Sequence, residues 1–289
     1  ELNRARTFGE RVKAALKGFS FGEFKPEFPG VAEPRTGKSM GESCEDMAKT
    51  WQITREDQDL LAYESHQKAA AAYARGFYAD LVMPFRELSV DNILRADTNL
   101  AKLASLKPAF DKRSGKGTLT AGNSTNLSDG ASVALLSSEQ WAQDNNKEIQ
   151  AYLVDAQVAA VDFVAGEGLL MAPAWAVAQL LKRNNLKLQD FDFYEIHEAF
   201  AAQVLCTLKA WESEEFCKTK LGMDGALGSI DRSKLNVVGS SLALGHPFAA
   251  TGARIIATAA KLLKEKGQGR VLISICTAGG MGVAAIVER

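Results

Sequence analysis

In the second half of the chain, short apolar runs alternate with amphipathic stretches, and this alternation limits the fold more than any other feature. Ala151 to Val161, Phe191 to Ile196, Asn236 to Ser241, Val271 to Cys276 and Val283 to Val287 read as strands. Between them, Ala172 to Arg183, Ala199 to Trp211 and Thr251 to Lys266 read as helices. Pro173 fits the first turn of one helix, and Gly267 closes the last after a basic final turn. The order β-α-β-α-β-α-β-β predicts a layered α/β domain over residues 149–289, with helices covering the sheet.

The first half is less regular. Val12, Ala15 and Leu16 predict an opening helix that breaks at Gly18 and Pro26 and continues as loop. Ser43 to Trp51 predicts a short helix. Thr54-Arg-Glu-Asp57 is a helix-start signal for a second helix, which stops near Gly76. Leu81 to Phe85 reads as extended, and Asp91 to Phe110 as irregular with one helical turn. Thr118 to Gly130 is a polar loop rich in hydroxyls, and it leads into the apolar Ala131 to Leu136.

At 289 residues with 46% apolar content, the chain can bury a full core. A net charge of -1 gives no global attraction to nucleic acid or to an anionic membrane. No apolar run approaches the roughly 18 residues of a membrane span. The four cysteines, Cys44, Cys206, Cys217 and Cys276, are widely spaced without a CxxC pair. That spacing argues against a disulfide scaffold or zinc site and points to a reducing, cytoplasmic setting.

Three segments carry chemistry. Gly245-His-Pro-Phe-Ala-Ala-Thr-Gly252 sets His246 among small residues between a strand and a long helix, where it can serve as a base or an oxyanion donor. Cys276 ends an apolar strand before Thr277-Ala-Gly-Gly-Met-Gly282. It reads either as a small core residue or as a reactive thiol beside amides that form an oxyanion hole. Glu195-Ile-His197-Glu198 lies at a strand-to-helix junction, where His197 and Glu198 either hold a water or cap the helix. An HExxH metal site is weakly supported there, because it would need a histidine at position 201, which is Ala201. His66 reads as structural.

With Glu195-Ile-His-Glu-Ala-Phe-Ala201, Gly245-His-Pro-Phe-Ala-Ala-Thr-Gly252 and Cys276-Thr-Ala-Gly-Gly-Met-Gly282 in that order, the chain resembles the thiolase family of acyl-CoA acyltransferases. Gly122-Asn-Ser-Thr-Asn-Leu-Ser-Asp-Gly-Ala131 is similar to that family's CoA-contacting loop, and Ser39-Met-Gly-Glu-Ser-Cys-Glu-Asp-Met-Ala48 to its substrate loop. His197 and Phe248 resemble the fatty-acid oxidation members, which form the β-subunit of a multienzyme complex. The resemblance implies a layered α-β-α fold. The βαβαβαββ C-terminal domain would be complete over 149–289. Residues 118–148 would be the last part of the N-terminal domain, and 1–117 a remnant of that domain with the loop domain.

It also implies roles. His246 would activate a nucleophilic cysteine, Cys276 would move the proton at the α-carbon, and His197 would orient a water in the oxyanion hole. Thr125 would touch the pantetheine, Met40, Ala199 and Phe200 would line the tunnel, and Ala278 and Gly279 would belong to an oxyanion hole. CoA enters as co-substrate, with no metal or prosthetic group. Implied partners are acyl-CoA and CoA, a second copy in a homodimer, and a multifunctional β-oxidation α-subunit.

The sequence departs from the family in one respect. The nucleophilic cysteine of thiolases lies in an earlier Cys-Gly-Ser/Thr-Gly-type segment, and none of Cys44, Cys206 or Cys217 has that setting. The expectation is therefore a chain lacking roughly the first third of a thiolase, unable to form an acyl-enzyme, with several hundred Å2 of apolar surface uncovered. Two alternatives stand beside it: a non-catalytic thiolase-like protein that binds CoA or a partner, and a Cys-His hydrolase using Cys276 and His246.

Overall fold

Strands with uninterrupted apolar sequence need cover on both faces, and the sheet of this protein has it. The computed structural model describes residues 7–17 and 30–289, which fall into two units, 1–32 and 33–289. The first unit holds α1 (Phe8–Lys17), started by reciprocal bonds between Thr7 and Glu10. The loop reading beyond Gly18 falls on residues 18–29, outside the described residues.

The second unit begins with α2 (Met40–Thr50), α3 (Arg55–Ala74), α4 (Leu100–Ala104) and α5 (Glu139–Asp144). Then come β1 (Tyr152–Ala160), α6 (Ala172–Asn184), β2 (Phe193–Ile196), α7 (Ala201–Glu212) and α8 (Glu214–Thr219). Finally come α9 (Ser241–Leu244), α10 (Ala250–Lys266), β3 (Arg270–Cys276) and β4 (Met281–Glu288). Helix α2 starts earlier than Ser43, because Ser39 and Glu42 form a full capping box. Helix α3 starts where expected, with the Thr54 side chain accepting from the Asp57 amide. Residues 81–85 hold no strand: a turn and a bend at 81–82 lead to a single antiparallel bridge between Phe85 and Leu88.

The strand order is β1-β4-β3-β2, with β2 and β3 parallel and the other pairs antiparallel. Alternation assigns the faces. Val271, Ile273, Ala285 and Val287 pack with Ile255, Ala259 and Leu263 of α10. Leu272, Ala284 and Ile286 instead join the main core with α6 and α7, including Val177, Leu181, Leu208 and Trp211. A one-residue slip would exchange the two sets, so register is strongly specified. At the other edge, the apolar Tyr152, Leu153, Val154 and Val158 of β1 are exposed.

The strand expected at 236–241 is reduced to a single parallel bridge between Tyr194 and Leu235. The Asn236 side chain explains the change. Its Oδ1 accepts from the Ile196 amide at 2.9 Å and its Nδ2 donates to the Ile196 carbonyl at 2.9 Å. One side chain thus satisfies both main-chain groups of Ile196, and the backbone is free to turn into α9.

Buried polar residues fix the 118–130 loop. The Glu45 carboxylate accepts from the Thr118 amide at 2.8 Å and the Leu119 amide at 3.0 Å. Asp59, held by Arg55 at 2.7 Å, accepts from Asn123 Nδ2 at 2.9 Å. Beyond this anchored stretch, Val133, Leu135 and Leu136 have no regular structure and are exposed.

Two predictions follow from the packing. A Cβ at Gly282 would stand 2.5 Å from the Pro173 nitrogen and 2.8 Å from the Ala172 carbonyl carbon. Gly282→Ala must push β4 off the first turn of α6, and it should cost about 1–3 kcal/mol in urea unfolding. An unchanged midpoint and slope would refute this contact. The second concerns Glu195 of β2, which is buried with neither carboxylate oxygen partnered among the described residues. Burial pushes its pKa up from 4.5 to about 8; Arg254 and Lys68 oppose the shift, and Glu198 adds to it. The folded state then keeps a proton that the unfolded chain loses, so this group's contribution falls as pH rises from 4.5 to about 8. The lowered pKa values of His66, His197 and His246 act in the opposite direction, below 6.5. Unfolding free energy should therefore decline between pH 6.5 and about 8, and Glu195→Gln should remove most of the decline in that window.

Candidate active site

Strands β2 and β3 run parallel and end together, Ile196 opposite Ser274. The His197 amide continues the pairing by donating to the Ser274 carbonyl at 2.8 Å, two residues before Cys276. His197 and Cys276 thus sit at the carboxyl ends of neighbouring parallel strands, where open α/β sheets present ligands. His246 comes from the other side, at the end of α9. Its ring centroid lies 4.2 Å from that of His197, with planes at 50°. Gly245 makes the approach possible. Its φ is +89°, and a Cβ there would stand 2.7 Å from Ser128 Oγ.

The 122–130 loop docks on the same junction. The Thr125 amide donates to the Ala199 carbonyl at 2.9 Å, and the Ala201 amide to the Asn123 carbonyl at 2.9 Å. A parallel bridge joins Leu127 to His246. The Phe200 ring meets Phe110 edge-on at 5.8 Å, and Phe110 packs over Gly41, next to Met40 at the start of α2. Ala278 and Gly279 form the exposed turn after Cys276, with Gly279 at φ +74°. The structure therefore brings Thr125, Ala199 and Phe200 together, packs the His197 ring against that of His246 at a tilt, and sets Cys276, Ala278 and Gly279 along one β3–β4 turn.

Burial governs the electrostatics. His197 is buried, and desolvation, then His246, then Arg254 hold its pKa well below the ordinary imidazole value. His246 is half-buried and lowered by the same causes, burial first and Arg254 second. Its Nδ1 lies 2.7 Å from Thr251 Oγ1, which fixes the ring. Phe248 stacks on its outer side at 5.1 Å and takes a left-handed φ of +39°. Burial pushes the Cys276 thiol up to about 12, so it rests protonated. Cys44 and Cys206 are also buried and raised, and Cys217 is buried against the Ala210 and Trp211 carbonyls.

Glu198 holds the structure together and is not placed to hold a water. Its Oε1 accepts from Asn236 Nδ2 at 2.6 Å, and its Oε2 from Ser65 Oγ at 2.7 Å and the Leu242 amide at 3.3 Å. His66 is likewise structural, though buried and not exposed; its Nδ1 accepts from the Arg95 amide at 3.2 Å. The residues that fix the histidines, Ser241, Thr251 and Arg254, went unmarked in the sequence. They lie in small-residue and helical stretches with no pattern of their own. A cleft of about 380 Å3 lined by Leu61, Leu205, Lys209 and Arg232 lies elsewhere and contains neither histidine.

Residues 22–140 match the model of the thiolase N-terminal domain, and residues 147–289 that of the thiolase C-terminal domain. The chain is 44% identical over 294 aligned positions to a 3-ketoacyl-CoA thiolase of Serratia proteamaculans, and 43% identical to one of Shewanella oneidensis. Both alignments use 100% of this chain but 66% of the relative, so the chain spans about two thirds of the length of these relatives. A crystal structure of the Bacillus anthracis acetyl-CoA acetyltransferase superposes with a TM-score of 0.74 at 34% identity, covering 93% of this chain and 67% of that one. Both thiolase domains are thus matched, on a fold and at an identity that agree, and the chain belongs to the thiolase family of acyltransferases.

Proposed function

We propose that this chain carries the proton-transfer half of a 3-ketoacyl-CoA thiolase, cleaving 3-oxoacyl-CoA with CoA in fatty-acid β-oxidation. The observation that carries the reading is the close packing of the His197 and His246 rings, 4.2 Å between centroids, at the carboxyl end of β2, with Cys276 ending the parallel neighbour β3. In this reading, the acyl-carrying cysteine passes its proton to His246 and its sulfur attacks the 3-oxo carbon. The C2–C3 electron pair stays on C2 and takes the Cys276 proton, releasing acetyl-CoA. CoA then gives its thiol proton to Cys276 and its sulfur attacks the acyl thioester. The freed cysteine recovers its proton from His246, and the shortened acyl-CoA leaves. A thiol raised to about 12 is in the protonated form that the cleavage step needs. The same value argues against Cys276 as the thiolate of a Cys-His hydrolase.

The acyl carrier in this reading is not one of the four cysteines of this chain. Cys44, Cys206 and Cys217 are buried, and burial disfavours their thiolates where a shift is resolved. Acyl-CoA and CoA bind through Thr125, Met40, Ala199 and Phe200, with the Ala278 and Gly279 turn as oxyanion donor and no further cofactor. A homodimer, docking to a β-oxidation α-subunit and a cytoplasmic location go with this reading through the family resemblance.

Two measurements test it. Intact-mass analysis after incubation with acetyl-CoA should show no stoichiometric acylation of Cys44, Cys206 or Cys217; acylation of any of them would overturn this division of labour. CoA should raise the thermal midpoint, corresponding to about 2.7 kcal/mol at a hundredfold excess over Kd. Thr125→Trp should abolish the shift and Cys276→Ala should keep it. A midpoint indifferent to CoA would count against a CoA site.

A further inference from the structure

We propose that Ser241 and Arg254 are positioning residues that hold His197 as the neutral Nε2–H tautomer, a hydrogen-bond donor directed into the site. Ser241 Oγ lies 2.8 Å from Arg254 Nη2 and 2.7 Å from His197 Nδ1. A guanidinium can only donate, so Arg254 occupies a lone pair of the hydroxyl. The hydroxyl has one proton, and its acceptor among the described residues is His197 Nδ1. Nδ1 is therefore unprotonated, and the ring proton sits on Nε2. The reverse tautomer would leave the proton of the buried Ser241 hydroxyl without an acceptor, the costlier arrangement.

The surroundings support this assignment. His197 Nε2 is buried and has no partner among the described residues, so its proton is free for a ligand atom. Ser241 opens α9 and Arg254 lies in the second turn of α10, so two helices converge on the ring. The tilted His246 ring and the Arg254 charge face the imidazole, and both disfavour a second proton, adding to the effect of burial. Glu198, the nearest acid in sequence, is turned away by its bonds to Ser65, Asn236 and Leu242. Glu195, two residues earlier on β2, interacts with Arg254. Under the thiolase reading, on which this last step rests, Nε2–H meets the thioester oxygen directly or through a water, and His197 takes no proton as a base.

The chain has three histidines, so 15N-histidine labelling resolves each ring. Long-range 1H–15N spectra between about pH 5.5 and pH 8 should show the His197 ring, assigned by its loss in His197→Gln, with bare Nδ1 and protonated Nε2 throughout; His66, whose Nδ1 accepts from the Arg95 amide, should give a second ring of the same pattern that survives in His197→Gln. An Nδ1–H tautomer or an imidazolium at the His197 ring in the unmodified chain overturns the proposal, and that measurement needs no other variant. Ser241→Ala should give mixed tautomers, and Ser241→Thr should restore the single one. Arg254→Gln puts an amide oxygen that can accept the Ser241 hydroxyl proton in place of a pure donor and should give mixed tautomers, whereas Arg254→Lys, which only donates, should keep the single one. With backbone spectra unchanged, a His197 ring indifferent to both Ser241→Ala and Arg254→Gln also overturns the positioning role. The carbonyl signal of [1-13C]acetyl-CoA separates the two readings. If it does not move on adding chain while His197 keeps the expected tautomer, the thiolase reading fails and the Ser241–Arg254 device stands.

Discussion

The Glu198 carboxylate ties together the segments on which the site depends. Its two oxygens gather Ser65 of α3, Asn236 of the turn after the Tyr194–Leu235 bridge, and the Leu242 amide of α9. These groups come from positions far apart in sequence, and all are buried. A buried carboxyl that accepts three bonds is strongly localised, because losing any one leaves a polar atom unsatisfied away from water. His197 precedes Glu198 in the chain, and His246 follows α9. The distance between the two imidazoles is thus set by a residue that does no chemistry itself.

Asn236 works beside it. By pairing with both main-chain groups of Ile196, it ends the sheet where a further strand would have continued it. Helix α9 follows, packed on α3, and its Ser241 reaches His197 at the end of β2. Burial then selects the protonation states. Desolvation lowers both site imidazoles and raises the Cys276 thiol. Both rings and the thiol are thereby neutral at rest.

The outline of the fold was legible in the sequence because its signals are local. Val271 to Ile275 could be read as a fully buried strand, Thr54 as a helix cap, and Gly267 as a stop, each from a few neighbouring residues. The missing strand at 236–241 was not legible. Its apolar pattern was real, but a distant side-chain pairing took over the hydrogen bonds that a strand would have made. The three segments carrying His197, His246 and Cys276 stood out because histidine and cysteine among small residues are rare combinations. Ser241, Thr251 and Arg254 did not, since hydroxyls and arginines are common and act here through contacts 10 or more residues away or across a turn.

The sequence by itself determined most element types, the alternation of sheet faces and the segments that carry His197, His246 and Cys276, because periodicity and residue chemistry are properties of short windows. Only the tertiary structure decided which face each histidine shows, that Glu198 is structural, that Cys276 rests as a thiol, and that Arg254 reaches the His197 ring through Ser241. Those outcomes depend on desolvation and on pairing between distant segments, and neither exists until the chain has packed.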